Sequence, residues 1–291
     1  MARLAAVANR AETLLGTAVV ATSPVAGGDV CTATRLRLAD GTSALVKTRP
    51  HPPAGFFRTE ADGLAWLAAA TRGVPVPEVL AVDDDCLVLR FVEGARPSPE
   101  AAEGFGRALA TTHRAGADGF GRPGGEDGFI GVLPLPGSVP AGTPWPEFYA
   151  TRRVLPYLRL AADRGAVTVE DVRDVERLVG RLTRLAGPEE PPSRLHGDLW
   201  SGNLLWGTDD RVWLVDPAAH GGHRETDLAM LALFGCPQLP RVLEAYDEAA
   251  PLADGWQDRV PLHQLFPLLV HAALFGGGYG ARAGDAAREY L

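Results

Sequence analysis

Apolar residues recur in twos through the first third of the chain and in threes and fours after it. Val19–Val25 is a short apolar run, and residues 31–38 alternate as a half-buried strand does. Asp40-Gly41 is a hairpin-type turn signal, so Ser43–Thr48 is the predicted return strand. The N-terminal residues ahead of these read as an amphipathic helix followed by a strand. Residues 56–70 have helical periodicity, with Phe57, Leu64 and Leu67 near one face, and Gly73 and Pro75 stop them. Val79–Val82 and residues 86–92 read as two more strands around Asp83-Asp84-Asp85.

After Glu93-Gly94 the period changes. Helices are predicted over residues 100–113, 146–164 and 169–185. A strand-loop-strand unit is predicted over 194–216, with helices from there to the C-terminus. Residues 116–146 form a Gly/Pro-rich stretch longer than an ordinary connection, a length usually tied to function or disorder. No internal repeat is present. The reading is an α+β chain of two lobes with the two-lobed, protein-kinase-like layout. Residues 1–92 form a small antiparallel sheet lobe with one helix that binds nucleotide. Residues 93–291 form a larger, mainly helical catalytic lobe.

Composition narrows the classes. The chain has 291 residues, 46% hydrophobic and 22% charged, as in an ordinary soluble globular protein. A net charge of −8 gives no basic footprint for nucleic acid. Cys31, Cys86 and Cys236 are far apart, odd in number and without a CxxC pair, which argues against a disulfide framework or structural zinc. A reducing compartment is the simpler expectation. Arg3, Arg10 and Glu12 interrupt the N-terminal apolar run, and no segment approaches the ~20 apolar residues of a membrane span. A cytoplasmic monomer is expected.

The chemistry concentrates in His196-Gly197-Asp198-Leu199-Trp200-Ser201-Gly202-Asn203, followed by the apolar run Val212-Trp213-Leu214-Val215 and Asp216. An Asp, an Asn five positions on, and a second Asp closing a strand form the layout of a kinase catalytic loop and metal-binding Asp. Phosphoryl transfer needs a carboxylate to orient or accept the proton of the attacking hydroxyl, and magnesium to bridge the phosphates. Magnesium prefers hard oxygen ligands. Asp198 fits the base, and Asn203 and Asp216 fit the metal. The competing reading is a capped turn, since Asp, Asn, Ser and Gly all favour loops. Upstream, Lys47 closes a predicted strand, where a lysine meets ATP phosphates as a point charge. Gly27 and Gly28 lie in the turn ahead of it, where glycine lets backbone amides approach phosphate. Glu60 follows on a predicted helix and can pair with Lys47. The second Asp begins Asp216-Pro217-Ala218, not D-F-G, and a helix is predicted from Arg224. No room is left for a peptide kinase's activation segment, which points to a small acceptor.

The sequence resembles the fructosamine-3-kinase family, a branch of the aminoglycoside-phosphotransferase-like kinases. The matching runs are Leu195-His196-Gly197-Asp198-Leu199-Trp200-Ser201-Gly202-Asn203, Asp216-Pro217-Ala218-Ala219 and Arg224-Glu225-Thr226-Asp227-Leu228-Ala229-Met230. Leu274-Phe275-Gly276-Gly277-Gly278-Tyr279, Leu38-Ala39-Asp40-Gly41 and Val46-Lys47-Thr48 extend the likeness over nearly the whole chain. The resemblance implies ATP-dependent, magnesium-dependent phosphorylation of the 3-hydroxyl of a ketosamine, free or protein-bound, as a deglycation step. By position it makes Asp198 the base, Asn203 and Asp216 the magnesium ligands, and Lys47 the phosphate contact braced by Glu60. It places adenine at the hinge backbone around Arg90 and Val92, Trp200 in the sugar-amine pocket, and Asp227 beneath the catalytic loop.

Three positions depart from the family pattern. The stretch Val132-Leu133-Pro134-Leu135-Pro136 is apolar where the family is polar, so an acceptor-facing loop would mean a more apolar substrate. His223 replaces an Asp and reads as a surface turn. Cys31 reads as a small packed residue, the other possibility being a reactive thiol. The alternatives to a ketosamine kinase are a kinase for an aminoglycoside or choline-like acceptor, a nucleotide-binding pseudokinase, and a metal hydrolase built on His196, His220 and His223.

Overall fold

Strand periodicity decides what each face of the first lobe carries. The computed structural model describes residues 2–26 and 30–291, so Gly27 and Gly28 lie outside the described residues. Strands β1 (Val19–Val25), β2 (Thr32–Leu38), β3 (Ser43–Thr48), β4 (Val79–Val82) and β5 (Cys86–Arg90) form one antiparallel sheet, ordered β1-β2-β3-β5-β4. Successive side chains point to opposite faces. Leu36, Leu38, Ala44, Val46, Cys86 and Val88 share one face and pack with Ala11 of helix α1 (Ala2–Leu15). Leu45, Leu87 and Leu89 share the other, against Phe57, Ala61 and Leu64 of helix α2 (Phe56–Ala68). By the same count Lys47 falls on the α2 side. Helix α2 buries Phe57, Glu60, Ala61, Leu64 and Leu67, a stripe at three- and four-residue spacing that includes one carboxylate.

The strand expected over 86–92 stops at Arg90. Its partner β3 begins at Ser43, so the ladder has no further rungs; the Phe91 amide makes the last bond, 3.2 Å to the Ser43 carbonyl.

The second lobe opens with α3 (Pro99–Arg114), capped by the Ser98 hydroxyl, which accepts the Ala101 amide at 3.1 Å. The long Gly/Pro-rich stretch is not structureless: β6 (Gly128–Ile130) and β7 (Leu133–Leu135) pair as a hairpin within it. Leu133 and Leu135 are buried in the helical core. The apolar character of Leu133 and Leu135 is thus a packing requirement, while Val132 and Pro136 are half-buried and Pro134 is exposed.

The helix expected over 146–164 is α4 (Trp145–Phe148), a π-helical turn (Tyr149–Val154) and α5 (Leu155–Asp163). Pro156 has no amide to give the Arg152 carbonyl, and the Arg153 guanidinium donates there instead, at 3.0 Å. The helix expected over 169–185 breaks near Gly180 into α6 (Val169–Val179) and α7 (Leu182–Leu185). Then follow β8 (Ser193–Leu195), β9 (Leu204–Trp206), β10 (Val212–Leu214), β11 (His220–Gly222), α8 (Arg224–Phe234), α9 (Leu239–Ala249), α10 (Val260–Phe275) and α11 (Tyr279–Arg288). Pairing of β8 with β11 and of β9 with β10 frames the residues between them.

Helix α10 contains Pro267, which leaves the His263 carbonyl without its helical donor. The buried Tyr149 hydroxyl is inserted there. It accepts the Phe266 amide at 3.2 Å and lies 2.8 Å from the Leu262 carbonyl and 3.2 Å from that of His263. The lobes meet where Gly63 of α2 packs on Pro217 and Ala219; a methyl group at Gly63 would lie 3.3 Å from the Ala219 methyl. The Arg194 guanidinium adds a bond of 2.6 Å to the Trp66 carbonyl and covers that indole ring. No helix among the described residues is long and apolar enough to cross a membrane.

Candidate active site

The turn after β8 is built around a buried carboxylate. Asp227, in the first turn of α8, accepts the amides of His196 at 2.8 Å and Gly197 at 2.9 Å. His113 of α3 bonds the same carboxylate at 3.2 Å, and the Tyr246 hydroxyl of α9 holds the other nitrogen of that imidazole at 2.8 Å. Burial works against the Asp227 charge, but His113, His196 and the Gly197 amide outweigh it and hold the group below the ordinary aspartate value. Gly197 has φ +80°, and a β-carbon there would meet the Ala218 carbonyl at 2.2 Å, so only glycine fits. The His196 ring donates to the Val215 carbonyl at 2.9 Å and accepts the Asp198 amide at 3.2 Å, tying this turn to the end of β10.

Asp198 faces Asn203 across a 3-10 turn. The Asn203 amide donates to the Asp198 carbonyl at 2.8 Å and to its carboxylate at 3.1 Å. Burial pushes the Asp198 carboxyl up to about 7; Asp216 and Asp227 act in the same direction, and Asn203 opposes them. Trp200 folds back over Gly202, where a β-carbon would lie 2.2 Å from the indole.

Lys47 crosses between the lobes. Its ammonium is 2.5 Å from Glu60 on α2 and 2.7 Å from Asp216 after β10. Burial opposes the charge, and the two carboxylates outweigh it, so the lysine is held above its ordinary value. Asp216 takes the left-handed conformation, φ +57°, which is costly for a residue with a β-carbon and typical of strained functional positions.

Lys47, Glu60, Asp198, Trp200, Asn203 and Asp216 all line one cavity of about 830 Å³, within the range of small-molecule sites. The donor chemistry suits magnesium. Asp216 gives one carboxylate oxygen to Lys47, and Asn203 uses its amide nitrogen on Asp198. Asp216 Oδ2 and Asn203 Oδ1 are hard oxygens with no protein donor among the described residues.

Arg90 and Val92 stand apart from this cavity. The Arg90 side chain is exposed and bonds Glu78 at 2.9 Å, and its amide donates to the Glu78 carbonyl at 2.8 Å. Cys31 lines the cavity, but burial pushes its thiol up to about 11, so it is a packed residue and not a thiolate.

His223 is a correction. It is buried, and its ring accepts the Glu225 amide at 3.3 Å to cap α8. No surface turn exists there. Nor do the three histidines form a hydrolase centre. His196 is engaged as above, and His220 donates to the Ala218 carbonyl at 2.8 Å while accepting from Arg153 at 3.3 Å. His223, Glu225 and His263 do stand at metal-ligand spacing, but Arg259 binds both oxygens of that carboxylate at 2.6 and 2.9 Å. Sequence periodicity missed Phe129, Phe234, His271 and Phe275 in the cavity wall, because they are drawn from three elements far apart in the chain, β6, α8 and α10.

A buried lysine and glutamate facing an Asp-Asn-Asp cluster, between a five-stranded lobe and a helical lobe, define a kinase of the two-lobed class. The fructosamine kinase family model matches residues 3–291, and the chain belongs to that family. It is 38% identical over 257 residues to a probable ketoamine kinase of Thermus thermophilus, covering 88% of each chain. A probable ketoamine kinase of Enterococcus faecium is 34% identical over 260 residues, covering 89% of this chain and 91% of the other. A Thermobifida fusca structure carrying a provisional fructosamine-3-kinase name superposes with a TM-score of 0.90 at 52% identity, covering 97% of each chain. A choline kinase of Streptococcus pneumoniae shares the fold, with a TM-score of 0.65 at 14% identity over 99% of each chain.

Removing one member of a buried ion pair strands its partner, while removing both costs less. Lys47→Met is expected to lower unfolding stability in urea by about 3–5 kcal/mol. Adding Glu60→Gln is expected to return part of that loss, and equal losses in the single and double variants would contradict the pairing.

Acid stability gives a second check. Burial, with Arg153 beside it, holds His220 down at about 3; burial, with His263, does the same for His223. Groups depressed in the folded state contribute stability that is complete above the unfolded value near ~6.5 and is lost on acidification. Asp198, raised to about 7, acts in the opposite sense, one carboxyl against two imidazoles. The thermal midpoint is expected to fall as pH drops from about 6.5 toward 3. A midpoint that is flat or rises over that window contradicts neutral burial of both rings.

Proposed function

We propose that the protein is an ATP- and magnesium-dependent ketosamine kinase that phosphorylates the 3-hydroxyl of a ribulosamine- or fructosamine-type adduct, the step that commits the adduct to deglycation. The observation that carries this reading is the convergence of Asp198, Asn203, Asp216, Lys47 and Trp200 on one cavity. The names of its relatives support the acceptor class.

In this reading the acceptor hydroxyl gives its proton to Asp198. Its oxygen forms the new bond to the γ-phosphorus as the bond to the β,γ-bridging oxygen breaks, releasing ADP. A carboxyl raised to about 7 suits that proton transfer, because a general base works best when its pKa lies near the working pH. Lys47 meets phosphate oxygens, and Glu60 keeps the ammonium charged and oriented. Asn203 and Asp216 would hold magnesium, which neutralises charge on the phosphates when bound. Gly27 and Gly28 supply amides to phosphate. Because the Arg90 and Phe91 amides are already engaged, the adenine edge meets the hinge from Val92 onward. Residues 1–92 act as the nucleotide lobe and 93–291 as the catalytic lobe. Trp200 lines the acceptor side.

Asp198→Asn keeps the shape and removes the base. It is expected to lower kcat for ketosamine-dependent ADP release by roughly 10²–10⁴-fold, while Mg·ATP still raises the thermal midpoint. Undiminished turnover in the variant rules out Asp198 as base. Turnover of an aminoglycoside with none of any ketosamine overturns the acceptor assignment and leaves the kinase assignment standing.

A further inference from the structure

The cavity extends beyond the groups that phosphoryl transfer uses, into a wall of aromatic rings. Phe234 closes α8, His271 and Phe275 lie in the last turns of α10, and Tyr279 opens α11. The rings contact one another: His271 lies 4.6 Å from Phe234, 5.2 Å from Tyr279 and 5.6 Å from Phe275, centroid to centroid. Phe234 meets Trp200 edge-on at 6.2 Å, so the wall is continuous with the turn that carries Asp198.

Two observations point to an apolar occupant. Among the described residues, the charged side chains that line the cavity are Lys47, Glu60, Asp198 and Asp216, all members of the catalytic cluster. The wall itself presents no carboxylate to a polycationic acceptor. Phe275 is 53% exposed, the one large aromatic among the described residues left so open to water. Exposed apolar surface beside a polar reaction centre marks a binding surface.

We propose that Trp200, Phe234, His271, Phe275 and Tyr279 form a subsite for the nitrogen substituent of the ketosamine, and that it selects adducts of aromatic or bulky apolar amines. This rests on the ketosamine reading above and names the acceptor's second half. The sugar presents its hydroxyl to Asp198, and the amine's apolar group covers the rings. Burying a ring-sized apolar group is worth enough to separate substrates ten- to a hundredfold, roughly.

The test uses two ketosamines with the same sugar, one from methylamine and one from benzylamine, and coupled detection of ADP. In the unaltered protein the benzyl adduct is expected to have a kcat/KM roughly ten- to a hundredfold higher. Phe275→Ala and Phe234→Ala are expected to collapse that ratio toward one. Phe275 is solvent-exposed, so its truncation does not threaten the fold. Val169→Ala, an exposed side chain on α6 away from the cavity, is expected to leave the ratio unchanged. Equal kcat/KM for the two adducts, or a ratio that survives both Phe truncations, overturns the subsite while the kinase activity stands. Turnover of neither adduct sinks the ketosamine reading and the subsite together.

Discussion

One buried ammonium holds the working parts of this protein in register. Lys47 reaches Glu60 within its own lobe and Asp216 in the other, at 2.5 and 2.7 Å. A lysine that leaves water is tolerated only when paired. Here strand alternation sends it to the α2 face, and the helical stripe of α2 brings Glu60 to meet it. The third member arrives on a left-handed residue two positions after the end of β10.

The second lobe brings an independent constraint. Asp227 gathers two backbone amides of the catalytic turn, and the His113–Tyr246 chain anchors it to α3 and α9. Asp198 is therefore held by backbone geometry set within the helical lobe, while Lys47 is set by the sheet. The two halves meet through the Asp216 contact, the packing of Gly63 on the Pro217–Ala219 turn, and the Arg194 bond to the Trp66 carbonyl. That division separates the positioning of Asp198 from the positioning of Lys47.

Much of the site was legible in the sequence because the chemistry demands particular side chains in a fixed order. Lys47 could be placed on a strand face and Glu60 on a helix stripe from periods of two and of three to four. Asp198, Asn203 and Asp216 followed from their spacing and the apolar strand before the last. What stayed hidden depends on tertiary packing. The three-residue strands of the 128–135 hairpin are too short to show alternation, so the burial of Leu133 and Leu135 looked like an acceptor-facing loop. His223 looked superficial because capping of α8 by a buried imidazole leaves no local trace. The π-turn follows from Pro156, but its rescue by Arg153 requires knowing where that side chain folds. The aromatic wall draws on α8, α10 and α11, rings that no window of sequence unites.

The central claim is that this cavity moves a phosphoryl group to the third oxygen of a ketosamine. The most direct measurement is phosphorus–proton correlated NMR of the product formed from a ribulosamine and Mg·ATP. The account predicts one new phosphate ester whose phosphorus couples to the proton on carbon 3, with ADP formed in equal amount. A phosphate on another carbon, or ADP released without a sugar phosphate, would contradict it.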